Sequence, residues 1–197
     1  MKNILSIIIL LVLALACKDV NQSKSSETMV HNHASDQVET NSSTKPLSPR
    51  KMAMANVGDA HIHIDYSSPG KRGRQIWNGL VAFDQVWVTG AHRATSIEFS
   101  QDVIINDEEM SKGKYAFFTI PGENQWTIIL NENFDQHLAD DYDSKLDIIR
   151  VKVLPEVIST SVESLTYEVI ALDDFNGEVT MMWDQLKITL PFKIVNH

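Results

Sequence analysis

Period-two alternation of apolar and polar residues, broken at short intervals by turn residues, limits what this chain can build. Between Arg93 and Ser100, Thr95, Ile97 and Phe99 fall on one side, and Ala94, Ser96 and Glu98 on the other. Successive side chains of a strand point to opposite faces, so this spacing predicts a half-buried strand. Asp102 to Ile105 is a second apolar run, and Asn106-Asp107-Glu108 is turn chemistry. Gly113 leads into residues 114–120, apolar on both faces, before Pro121-Gly122 turns the chain and residues 125–131 return. Two such runs about a Pro-Gly turn predict a hairpin. Because both faces are apolar, the hairpin is expected to be central and covered on each side, with Phe118 and Ile128 buried in adjacent strands.

The same pattern extends in both directions. A strand carrying Met52 and Met54 precedes a turn at Gly58-Asp59. Ile62, Ile64 and Tyr66 then face inward, with His61, His63 and Asp65 outward. Residues 79–83 and 85–88 read as two further short strands, and residues 131–145 as an acidic, irregular segment. Ile149, Val151 and Val153 alternate with Arg150 and Lys152, and residues 162–172 are strand-like. Val179, Met181 and Trp183 face inward, followed by Leu186, Ile188, Leu190, Phe192 and Ile194. Pro191 lies on the polar face of that last run and predicts an edge position, since it cannot donate to a ladder. About ten strands with no long helix predict an all-β fold: an antiparallel β-sandwich, jelly-roll-like. Residues 49–197 are the right length for one domain with a sizeable core.

The start of the chain has a different character. Lys2 precedes an apolar run from Ile4 to Ala16, too short for a permanent membrane span but suited to a secretory leader. Ala14-Leu15-Ala16-Cys17 resembles a bacterial lipobox, although a Leu is more usual where Ala14 stands. An ordinary leader followed by an incidental Cys is the other reading. Lipidation is favoured because Cys17 is the only Cys, and a lone free thiol in an exported chain would be unusual. In this reading residues 1–16 are a signal peptide, and acyl chains on Cys17 hold the protein to a membrane. By resemblance to lipoprotein sorting rules, Lys18, in place of an Asp, favours the outer membrane. Residues 17–48, rich in Ser, Thr, Asn and charge and without an aromatic residue, read as a disordered tether.

Charge narrows the partners. The chain has 17 Lys and Arg against 26 Asp and Glu. Loss of residues 1–16 would remove Lys2 and no acid, leaving 16 against 26 and a net charge of −10. Such a domain repels phosphate backbones, so nucleic acid is not an expected partner. No cofactor motif is present.

Several of these stretches carry a family resemblance. Residues 48–53 (SPRKMA), 66–105 (YSSPGKRGRQIWNGLVAFDQVWVTGAHRATSIEFSQDVII) and 113–131 (GKYAFFTIPGENQWTIILN) resemble the DUF2911 family. The similarity runs over roughly residues 48–195. Members are exported bacterial proteins, frequent in Bacteroidota, with no established activity. The resemblance implies a fold and an envelope location and supplies no catalytic residues. Val88 stands where the family usually has Arg, and His92-Arg93 where Asn and an acidic or neutral residue are common. Lys112 replaces an Ala before Gly113.

Two constellations have chemistry. Thr89-Gly90-Ala91-His92-Arg93 combines small residues, which let backbone N–H groups approach a ligand, with a cation suited to an anion. Lys71, Arg72 and Arg74 come from an earlier loop expected at the same end of the sandwich. Together they would form a basic patch fit for a small anionic ligand. Glu98, Asp84 or Asp65 could instead neutralise it internally. Thr89 and His92 could form a nucleophile–base pair, but no third orienting group is visible. His61 and His63, about 7 Å apart along one strand face, could chelate a metal with His92, Asp65 or Glu98. A solvent-facing strand that merely carries two His is the plainer reading. Asp140-Asp141 and Asp173-Asp174 read as solvated turns. Trp126 and Trp183 are expected in the core, with Trp77 and Trp87 open between core and an exposed stacking surface.

Three function classes remain, in this order: a membrane-tethered binding or accessory module; an envelope enzyme, hydrolase-like, using the His92 loop; and a structural lipoprotein that contacts envelope proteins. A concave site holding His92, Arg93 and Glu98 together is what discriminates the first two, and a flat apolar patch would favour the third. Lipidation has its own test. The mature protein should partition into the detergent phase, and Cys17→Ser should move it to the aqueous phase or leave it unprocessed. Unchanged partitioning of that variant would refute the anchor.

Overall fold

The computed structural model describes residues 46–196. The expected leader, Cys17 and the tether as far as residue 45 lie outside the described residues. Ten strands follow: β1 (Arg50–Val57), β2 (Ala60–Ser67), β3 (Ser96–Phe99), β4 (Val103–Ile105), β5 (Glu108–Met110), β6 (Gly113–Ile120), β7 (Trp126–Asn131), β8 (Asp147–Val153), β9 (Glu156–Ala171) and β10 (Asn176–Ile194). One sheet has the order β1-β2-β3-β6-β7-β8 and the other β5-β4-β10-β9, with every pairing antiparallel. This is the all-β sandwich that the alternation predicts. The helical content among the described residues is one 3-10 turn at Ser144–Leu146.

The hairpin about Pro121-Gly122 is central and covered on both faces. Its register sets Phe117 opposite Leu130 and Phe118 opposite Ile129. Phe117, Trp126, Ile128 and Leu130 enter the main core between the sheets. Ala116, Phe118 and Ile129 point the other way, into a second apolar cluster with Val88 and Ala94. Val86, Ala139 and Tyr142 pack on that cluster, so the loops before β3 and after β7 form its lid. Phe118 and Ile128 are therefore both buried in adjacent strands, as expected, but on opposite faces. On β2, Ile62, Ile64 and Tyr66 are buried while His61, His63 and Asp65 look outward, again as expected.

Two local expectations change. Residues 79–83 and 85–88 are loop, not strands. Their backbone groups go into turns, Leu80 N–H to Gln75 O and Val81 N–H to Ile76 O, and into single bridges such as Trp87 to Thr119. Pro191 does not mark an edge strand, because β10 lies between β4 and β9. It is tolerated because pairing with β9 ends at Lys187 and pairing with β4 begins at Lys193, so Pro191 falls between the two ladders.

The last strand also has a corner. Its inward residues are odd-numbered as far as Trp183 and even-numbered from Leu186. Side chains alternate strictly in a strand, so this change of phase requires an irregularity between them. The register shifts on both sides of Asp184, which has a left-handed φ of 52°. Beyond the corner the strand comes back on itself. Ile194 N–H donates to Phe175 O at 2.7 Å, and the Phe192 ring fills the space that a side chain at Gly177 would need.

The lid after β7 is pinned by a polar cluster. The Tyr142 hydroxyl donates to Asp147 Oδ2 at 2.7 Å, Arg150 donates to the same oxygen at 2.9 Å, and Asn131 Nδ2 donates to Asp147 Oδ1 at 2.8 Å. Burial, then the hydrogen bond to Asp147, pushes the Tyr142 phenol up to about 12. Below pH 10 both folded and unfolded chains keep that proton and the contribution is fully present. Above pH 10 the unfolded chain ionises first, so stability falls as pH rises toward 12. Denaturant unfolding between pH 9 and pH 12 should therefore show a shallower loss for Tyr142→Phe than for wild type. Parallel curves would mean that the phenol is not held by Asp147.

Candidate functional site

The two basic loops do meet, and β9 is what brings them together. Lys71 N–H donates to Glu163 O at 2.7 Å, Leu165 N–H to Pro69 O at 3.0 Å, and the Ser68 hydroxyl to Leu165 O at 2.7 Å. Gly70 thereby bridges Ser164, and residues 68–71 extend the β9 ladder on its free side. Arg72 N–H caps the arrangement on the Glu163 carboxylate at 2.7 Å. Two residues farther along β9, the Tyr167 hydroxyl donates to Thr89 O at 2.9 Å. Burial of this Tyr holds its phenol well above the ordinary value, so it remains a donor at any pH of interest.

Thr89 is the strained point of the second loop. Its φ is 49°, a left-handed value that a β-branched residue rarely adopts. Three hydroxyl contacts hold it there. Thr95 Oγ1 and Tyr167 both donate to its carbonyl, and its own Oγ1 lies 3.0 Å from Thr119 Oγ1. Gly90 follows in a space where a Cβ would stand 2.7 Å from Thr95 Oγ1, so only glycine fits. His92 is again left-handed, at φ 66°, and its carbonyl accepts from Leu138 N–H at 2.6 Å. Arg72 and Leu138 have φ values of 49° and 51°. Such strained backbone tends to collect where a surface must be shaped for a ligand.

Between these loops lies an open cleft of ≈ 360 Å³. Trp87 and Trp183 form its floor, with Leu80, Val81 and Leu138 beside them. The two indoles are stacked with centroids 5.9 Å apart, and Trp77 packs edge-on against Trp87, Trp126 and Trp183. All four Trp thus form one cluster. Trp126 and Trp183 are core residues, as expected, while Trp77 and Trp87 are half-buried at its outer margin. The Trp87 indole N–H donates to Gly90 O at 3.2 Å, which ties the floor to the rim. Arg72, Arg74 and His92 line the mouth.

The remaining candidates lie elsewhere or are engaged. Lys71 pairs with Asp184 at the corner of β10, so it braces that corner. Arg74 donates to Lys71 O at 3.1 Å and Gly70 O at 2.6 Å, which fixes the loop while leaving its charge at the cleft. Arg93 points away from His92, pairs with Asp135, and lines a second, polar cleft of ≈ 420 Å³ with Arg50, Asp65 and Lys114. Glu98 is exposed on β3, opposite His63 and Lys114 in the ladder. His92, Arg93 and Glu98 therefore do not share one concavity. Internal neutralisation of the basic loops comes from Asp184 and Asp135, not from Glu98, Asp84 or Asp65; Asp65 stands instead 3.8 Å from Arg50 and 3.7 Å from Lys114.

The histidine pair has its rings 6.2 Å apart. His61 Nδ1 is bonded to Asn56 Oδ1 at 2.8 Å, and His63 Nε2 lies 3.9 Å from Asp65. His92 is on the tryptophan cleft, not beside them. Among the described residues no three His, Cys, Asp or Glu side chains gather as a metal site. The Asp173 carboxylate accepts from the Asn176 side-chain amide and from the backbone N–H groups of Phe175 and Asn176, the ordinary work of a turn, and these bonds, the side-chain amide first, hold its pKa below the usual range.

Sequence reasoning missed Leu80, Leu138 and Trp183 as walls of the site. Leu138 is embedded in an acidic, irregular segment, and Trp183 sits at the corner where the inward phase changes. The phase change itself, odd to even across Asp184, was the available signal.

No curated protein and no solved structure matches this chain. A family model described as a protein of unknown function, DUF2911, matches residues 48–192, which include every residue of the cleft. The chain belongs to the DUF2911 family.

Proposed function

We propose that this protein is a lipid-anchored binding module of the cell envelope, held at the outer membrane through Cys17, whose domain takes a small organic ligand in the tryptophan-floored cleft. The observation that carries this reading is the composition of the cleft. Its volume falls in the range of small-molecule sites, which pair apolar walls with a few placed polar groups. Trp87, Trp183, Leu80 and Leu138 supply the walls, and Arg72, Arg74 and His92 the polar groups.

Binding is favoured over hydrolysis by the state of Thr89, the hydroxyl that could have paired with His92 as nucleophile and base. Thr89 is fully buried, and its Oγ1 faces Thr119 and the Trp87 carbonyl instead of the cleft. No carboxylate among the described residues lines the cleft to orient His92. A nucleophile–base–orienter arrangement needs all three groups within hydrogen-bond reach.

The test is a titration with anilinonaphthalene sulfonate, an anionic aromatic dye, well below the melting temperature. Excitation of the tryptophans should give saturable dye emission at one site. Ala91→Phe, which places a ring at the cleft, should weaken binding by about fivefold or more, roughly 1 kcal/mol, while near-UV circular dichroism stays that of a folded protein. Non-saturable emission, or an affinity untouched by Ala91→Phe, would count against this site.

A further inference from the structure

The charge of the cleft identifies the class of ligand, given that the cleft is the binding site. The chain has nine more acidic than basic residues, yet Arg72, Arg74 and His92 line this cleft and no Asp or Glu does. Elsewhere the cations of the same loops are neutralised: Lys71 by Asp184 and Arg93 by Asp135. Arg74 spends its donors on backbone carbonyls, which cancels none of its charge. Arg72 is different. Its backbone N–H is bonded to Glu163, but its guanidinium has no ion-pair partner among the described residues. Its left-handed φ of 49°, followed by Gly73 at 70°, lifts it out of the β9-bound segment to the mouth of the cleft.

Below these cations the walls turn apolar at once. Trp87 is half-buried, stacked on the buried Trp183 ring beneath it, and Leu80 and Leu138 are 48% and 39% exposed beside it. Large apolar side chains left open next to an unpaired guanidinium fit a molecule with the reverse polarity: a flat or compact apolar body that ends in an anion. A fully polar anion such as inorganic phosphate would leave the indole floor wetted. A neutral apolar molecule would leave the Arg72 charge without a partner. Arg is suited to the carboxylate or phosphate end because its planar fork can donate two parallel hydrogen bonds.

We infer that the cleft binds a free amphipathic organic anion, with its carboxylate or phosphate at Arg72 and His92 and its apolar body on Trp87, Leu80 and Leu138. The test uses three ligands of equal bulk with the purified full-length chain: naphthylacetate, naphthylacetamide and naphthylmethylamine. Binding is followed by calorimetry and by the indole N–H signals of the four tryptophans. Naphthylacetate should bind about tenfold or more tightly than the amide, and the cationic amine should not bind measurably. Arg72→Gln should reduce the acid's affinity to that of the amide and leave the amide unchanged. Arg72 is exposed, so this variant is expected to fold. Leu80→Asp, which adds a carboxylate to an exposed wall, should also disfavour the acid more than the amide.

Each outcome decides something different. If acid and amide bind equally, or Arg72→Gln weakens both alike, the anion inference falls while the binding module stands. If none of the three binds, both fall. Vesicles containing an anionic phospholipid form the last arm. They should leave the Trp87 and Trp183 indole signals in place; a shift that depends on Arg72 would make the ligand a membrane lipid and overturn the free-molecule reading.

Discussion

The site depends on one strand. β9 holds the basic loop through Glu163, Ser164 and Leu165, and two residues farther on holds the Thr89 turn through the Tyr167 hydroxyl. Neither loop has a regular ladder of its own. Without β9, Thr89 would keep a left-handed φ with fewer contacts to hold it. The tolerance for strain is local and bought by hydroxyl donors that are themselves buried: Tyr167 at 3% exposure and Thr95 at 0%. A buried donor with no water to turn to gives its hydrogen bond more directional force than a surface one would.

The same strand organises the tryptophan floor. β9 pairs with β10 along its length, and the register shift at Asp184 turns Trp183 toward Trp77, Trp87 and Trp126. The Trp183 indole N–H reaches Glu163 O at 3.3 Å, the carbonyl that also receives Lys71 N–H. Lys71 in turn pairs with Asp184 at the corner. Floor, corner and basic loop are thus linked through Glu163 and Asp184. A change at the corner should be felt at the cleft even though it touches no ligand. The exposed pair of Arg93 with Asp135 belongs to none of this, and pairs of that kind contribute little to stability.

Much of the fold was legible because it rests on alternation. Ile62, Ile64 and Tyr66 on β2, or Phe117 and Phe118 on opposite faces of β6, are placed by a period of two and by turn residues alone. The adjacency of Lys71–Arg74 and Thr89–Arg93 was also anticipated, but for a different reason: the expectation rested on antiparallel strands returning to one end, whereas the contacts run through β9. The directions of the side chains in the loops were not legible. His92 and Arg93 are neighbours in sequence yet line different clefts, and the left-handed φ of 66° at His92 is a turn that no local pattern announces. Leu138 reaches the cleft from an acidic loop because a backbone bond to His92 O draws it there, a contact 46 residues apart in the chain. Long-range hydrogen bonds of this kind leave no periodic trace.

The most direct test of this account is Tyr167→Phe, which removes one hydroxyl and keeps the ring against Tyr66 and Phe117. Two-dimensional nuclear magnetic resonance of the four indole N–H groups reads the result. If β9 sets the cleft through the Thr89 carbonyl, the Trp87 signal, bonded to Gly90, should move and exchange faster with solvent. The Trp126 signal, fully buried in the core, should remain where it is. Four unmoved signals with unchanged exchange would contradict the central claim, and the Thr89 turn would then owe its shape to Thr95 and Thr119 alone.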